Sequence, residues 1–126
     1  MLEVEIPTDN ETKKLLRKMC EDFIKFLEEA RKFSFSVPDF KQVSKDVFEY
    51  THRDTGTHYI IDFSIRGYVH VRVKNTSVEP RLLSPLIGIK ATPPIEPNDR
   101  LIVEFFNDVG TNAIKLSTIG IVTNVQ

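Results

Sequence analysis

Glu49, Asp62 and His70 are the residues whose types and spacing suit acid–base chemistry. Each lies in a segment, 47–53, 58–64 or 68–74, where apolar and polar residues alternate with period two, the pattern of a half-buried strand. The connections are turn-like: Asp54-Thr55-Gly56-Thr57 and Ile65-Arg66-Gly67. A four-residue first loop sets Tyr50 opposite Ile61 and Phe48 opposite Phe63. A three-residue second loop, with Gly67 at positive φ, sets Phe63 opposite Val69 and Ile61 opposite Val71. On the other face this register puts Glu49 opposite Asp62 and Asp62 opposite His70. Carboxylates beside an imidazole are a general acid/base set, because repulsion raises a carboxylate pKa and an ion pair raises an imidazole's. A solvated strand face explains the same alternation, and acid–base work needs a cleft around the groups.

Other motifs are weaker. Asp54-Thr55-Gly56 spells the aspartic-protease triplet, but Thr51-His52-Arg53 precede it where that family has an apolar strand. Turn chemistry suffices to explain it. Arg66-Gly67-Tyr68 and Val71 agree with the RNP1 pattern of RNA-recognition motifs. Val69, His70 and Val73 replace its small residue and two of its aromatics. Tyr68, His70, Arg72 and Lys74 share one strand face, which makes them the nucleic-acid candidates. All three histidines lie between residues 52 and 70, yet no two have metal-ligand spacing on one strand or helix, so no metal is expected. Cys20 falls on an apolar helix face, where a thiol is a small core residue. The five glycines are scattered and form no phosphate-cradling loop, and no cofactor is expected.

The elements that must position these residues begin with Leu2–Ile6, which alternates apolar and acidic residues like a short edge strand. Thr8-Asp9-Asn10-Glu11 matches a capping box, predicting a helix to about Lys32. Leu16, Met19, Cys20, Phe23, Leu27 and Ala30 form its apolar face, with Glu21–Lys25 and Glu28–Lys32 as ion pairs on the other. Residues 33–46 read as an apolar connection closing one end of the core. Further strands are expected near Leu86–Ala91, Arg100–Phe106 and Ala113–Val125, the last broken around Ser117-Thr118. The expectation is one α+β domain over residues 1–126, a helix packed on a curved, mainly antiparallel sheet of about five to seven strands. Helix-then-meander order resembles cystatin-like and NTF2-like architectures, a topological analogy that carries no functional residues.

Leu101–Phe106 is apolar on both faces except for Glu104. Leu101, Val103 and Phe105 serve a core, which leaves Ile102 and Phe106, with Val103 beside them, as interface candidates. Phe33, Phe35 and Phe40 folding over that second side would be the alternative cover.

Charge is even along the chain. Residues 1–45 carry nine Lys/Arg and nine Asp/Glu, residues 46–75 four and four, and residues 76–126 four and five. That argues against a dedicated nucleic-acid binder. The acidic N-terminus argues against a signal peptide, no apolar run is long enough to span a bilayer, and a single cysteine suits a reducing, cytoplasmic compartment. The leading expectation is a non-enzymatic binding or assembly module whose partner is a second copy or another protein. The alternatives are a small enzyme or ligand-binding domain using Glu49, Asp62 and His70, and an RNA-binding module using the Tyr68–Lys74 strand.

Overall fold

The computed structural model describes residues 1–33, 36–75, 82–91, 94–107 and 113–126, with residue 82 described by its backbone. Helix α1 (Asn10–Ala30) starts at Asp9, whose carboxylate accepts the Thr12 N–H at 2.7 Å and the Thr12 hydroxyl at 3.0 Å. A free donor of the first turn is thereby satisfied, and negative charge meets the positive end of the helix dipole. The same bonds hold the Asp9 carboxyl below its usual range. The cap is Asp9 rather than Thr8, whose hydroxyl donates to the Ile6 carbonyl. Leu16, Met19, Cys20, Phe23 and Leu27 are buried along one stripe, as their spacing requires. The i, i+4 ion pairs are Arg17–Glu21 and Lys18–Asp22, in place of the two expected.

The described residues form one antiparallel sheet of nine strands, not five to seven. They are β1 (Leu2–Pro7), β2 (Asp39–Ser44), β3 (Val47–Thr51), β4 (His58–Asp62), β5 (Tyr68–Lys74), β6 (Leu82–Ser84), β7 (Ile87–Lys90), β8 (Arg100–Asn107) and β9 (Ile114–Asn124). Their spatial order is β2-β3-β4-β5-β1-β9-β8-β7-β6. Two four-stranded meanders thus each begin at an outer edge and end against β1. The sheet curls into a half-barrel, and α1 lies across its concave face, touching β2 in one meander and β8 in the other. Phe23 meets Phe40 edge-on at 5.5 Å, Phe40 stacks on Phe48 at 6.1 Å, and Phe48 meets Phe63 edge-on at 5.7 Å. This aromatic chain carries the helix contact deep into the first meander.

Several elements differ from the sequence expectation. β1 is the central strand rather than an edge, with Leu2, Val4 and Ile6 buried. Alternation reports one wet face and is silent about lateral neighbours. Residues 39–44 form edge strand β2 instead of a loop, because inward-facing Phe40 completes the aromatic cluster. Strand β9 runs unbroken past Ser117 and Thr118. The β4–β5 register is as expected, with Ile61 opposite Val71. The β3–β4 register is shifted by two: Tyr50 faces Tyr59 and Phe48 faces Ile61. Its four-residue turn is 53–56 rather than 54–57, closed by His52 N–H to the Thr57 carbonyl and Gly56 N–H to the His52 carbonyl. Gly56, at φ +70°, takes the last turn position, where a side chain would be strained. An even shift leaves every residue on its face, so Phe48, Tyr59, Ile61, Phe63, Val69, Val71 and Val73 are buried together as expected, while Tyr50, expected among them, is half-buried.

Candidate functional site

The convex face, away from α1, carries every candidate site residue except Val103. On its β3–β5 half the expected acid–base set is divided among other partners. Asp62 does face His70 in register. Its Oδ1, however, accepts the Ser64 N–H at 2.8 Å and the Ser64 hydroxyl at 2.6 Å, engaging the carboxylate in the β4–β5 turn. His70 Nε2 lies 3.9 Å from Glu3 Oε1 on β1. The two-residue shift sets Glu49 opposite Ile60, not Asp62, with its Oε2 3.6 Å from His58 Nε2. Asp54-Thr55-Gly56 is an exposed turn.

Tyr68, His70, Arg72 and Lys74 share the outer face of β5, the first three half-buried and Lys74 exposed. Arg72 sits between Glu3 on β1 and Ile60 on β4, and its Nε is buried without a hydrogen-bond partner among the described residues. Glu3, Glu5, Glu49 and Asp62 interleave with this stripe, so it presents no continuous positive surface to a phosphate backbone.

The β8–β9 half is different in kind. Ile102 and Ile119 stand opposite each other in register, 44% and 42% exposed. Ile121, 37% exposed, follows on the same face between Arg100 on β8 and Glu5 on β1. Half-buried Phe106, opposite Lys115, is separated from them on the same face by the Glu104–Ser117 pair. Val103 points the other way and is fully buried in the chain's own core, so it is unavailable to a partner. Phe33 is exposed and Phe40 faces the concave core, so neither covers this patch; Phe35 lies outside the described residues.

Beside the patch, Glu104 is held between two lysines, Lys90 Nζ at 2.5 Å from Oε1 and Lys115 Nζ at 2.7 Å from Oε2. Its register neighbours Gly88 and Ser117 are small, leaving room for the lysine stems to close over the carboxylate, whose side chain is only 9% exposed. Hydrogen bonds from Lys115 and then Lys90 hold the Glu104 carboxyl below its usual range, and the same contact raises the Lys115 ammonium.

Sequence reasoning missed Ile119, Ile121 and the Lys90–Glu104–Lys115 clamp. The available signal was Ile119-Gly120-Ile121, an alternation with glycine facing inward, just beyond the break expected around Ser117-Thr118. No protein-family model matches the chain, and no curated protein or solved structure matches it. Among the described residues no helix is long and apolar enough to cross a membrane, and no three His, Cys, Asp or Glu side chains gather as a metal site.

Proposed function

We propose that the chain is a non-enzymatic assembly module that associates with a second copy of itself through the convex face of β8 and β9. The observation that carries this reading is the exposed Ile102–Ile119–Ile121 patch on strands whose other side already fills the core. Contiguous apolar patches rimmed by polar residues mark interaction sites. Opposite charges flank this patch, Glu3 and Glu5 on the β1 side and Arg100 on the β8 side, where Lys90 already answers Glu104. A two-fold axis along the strands, between β8 and β9, would lay the basic flank of one copy over the acidic flank of the other. That is the self-complementarity a closed dimer needs. Stable interfaces bury about 800 Å² per partner, so the isoleucines would form the centre and the charged flanks the rim.

Light scattering coupled to size exclusion tests the proposal. The expected mass is a multiple of 14.5 kDa, falling to the single-chain value in Ile102→Glu and Ile119→Glu with unchanged circular dichroism. A single-chain mass for the unaltered protein at high micromolar concentration, or an oligomer indifferent to both substitutions, would overturn it.

A further inference from the structure

A second feature lies at the rim of the half-barrel, where the end of α1, the segment entering β2 and the β3–β4 turn converge. These elements enclose an open cleft of about 660 Å³ lined by, among others, Arg31, Val37, Pro38, Asp39, His52 and Arg53. That volume lies within the roughly 300–1,000 Å³ of small-molecule sites.

The polar groups around the cleft are predominantly donors. Arg53 Nη2 donates to the Val37 carbonyl at 2.7 Å, which ties the β3–β4 turn to the segment before β2 and fixes the guanidinium at the cleft wall. Its other N–H groups have no acceptor among the described residues. Arg31 ends the helix, and its guanidinium has no hydrogen-bond or ion-pair partner among the described residues. His52 Nδ1 accepts the backbone N–H groups of Asp54 at 3.2 Å and Thr55 at 3.3 Å, so a neutral ring carries its proton on Nε2 and is a donor there. Asp39 is the one carboxylate lining the cleft, and among the described residues neither arginine forms an ion pair with it. Two permanent cations, both exposed, therefore line one concavity with a single carboxylate, Asp39, which leaves one net positive charge there. Planar guanidinium groups match the paired oxygens of carboxylates and phosphates, and Val37 with Pro38 supplies an apolar wall.

We propose that this cleft binds a small oxyanion, the carboxylate or phosphate of a ligand whose apolar body rests on Val37 and Pro38. The site is independent of the β8–β9 face and does not rest on assembly.

Amide chemical-shift titration with inorganic phosphate and, separately, succinate tests it, with sodium chloride at matched ionic strength as the control. The expected result is a saturable amide shift confined to residues 31, 37, 39 and 51–56, half-complete at about millimolar ligand as befits two partly solvated ion pairs. Arg31→Gln and Arg53→Gln should each weaken it by about tenfold. Arg31→Gln removes no hydrogen bond or ion pair among the described residues and so separates ligand loss from unfolding. Saturation by phosphate alone identifies a phosphate site, by succinate alone a carboxylate site, and by both a shared oxyanion site. Shifts that follow chloride, fail to saturate with either anion, or persist in the double variant overturn the proposal.

Discussion

Gly120→Ala is the substitution in which two known effects oppose each other and geometry decides the sign. Gly120 lies on β9 opposite Leu101 of β8, with its α-carbon facing the concave core. A methyl group there would sit 2.6 Å from Val4 Cγ1, 2.9 Å from Val103 Cγ2 and 3.4 Å from Ile6 Cγ1. Relaxed carbon–carbon contacts are about 3.5–4.0 Å, so two of these overlap by roughly 1 Å. Both valines are fully buried on adjacent strands and β-branched, with little freedom to turn aside. Replacing glycine by alanine in extended backbone gains about 0.4–1 kcal/mol by restricting the unfolded chain. Overpacking of this kind costs about 1–3 kcal/mol, and two simultaneous overlaps place it in the upper half of that range. The net expectation is destabilisation by about 1–2.5 kcal/mol, a drop of very roughly 4–10 °C in Tm. Urea unfolding followed by far-ultraviolet circular dichroism is suitable, since the chain has no tryptophan. Val4→Ala removes the closest methyl, so the double variant should be less destabilised than the sum of the singles by at least about 0.5 kcal/mol. A Gly120→Ala midpoint at or above that of the parent, or strict additivity with Val4→Ala, would refute the close packing of β1, β9 and β8 described above.

Phe23→Ala should cost about 3–5 kcal/mol by emptying the helix–Phe40 contact, whereas Lys25→Ala should cost under about 0.5 kcal/mol; equal losses in chemical unfolding would contradict the helix phase. Glu104 has a folded pKa below its ordinary 4.5, so its stabilising contribution is full above that value and is lost as pH falls through the depressed folded value. The Tm gap between the parent and Glu104→Gln should therefore be widest near neutrality and close on acidification below about pH 5; a constant gap would count against the double-lysine clamp. Burial, and secondarily the charge of Glu21, pushes the Cys20 thiol far up. Labelling by a thiol-specific reagent should accordingly proceed only at the rate of unfolding, and rapid modification of the native protein would show the α1 stripe to be open.

The sequence by itself determined which residues face inward wherever the inward side chains are large. The α1 stripe and the inner faces of β3, β4 and β5 follow from periods of 3.6 and two, because burial of apolar surface outweighs local propensity and a face survives even a two-residue register error. It also determined that Ile102 and Phe106 face away from the core. Lateral relations were decided only by tertiary structure. β1 lies at the sheet's centre because two meanders converge on it, and neither meander's destination is written within Leu2–Pro7. Phe40 makes residues 39–44 a strand because Phe23 and Phe48, distant in sequence, leave it a place. At β9 the pattern inverts, since crowding by Val4 and Val103 leaves no room for a side chain at Gly120, while Ile119 and Ile121 face outward. Glu49 parts from Asp62 for a comparable reason, whereas Asp62 keeps its place opposite His70 and is engaged by Ser64 instead. One turn residue moved the β3–β4 register by two, and an ion-pair partner, unlike a face, does not survive that shift: a charge acts over a few ångströms at a single register position, whereas a face repeats at every second residue.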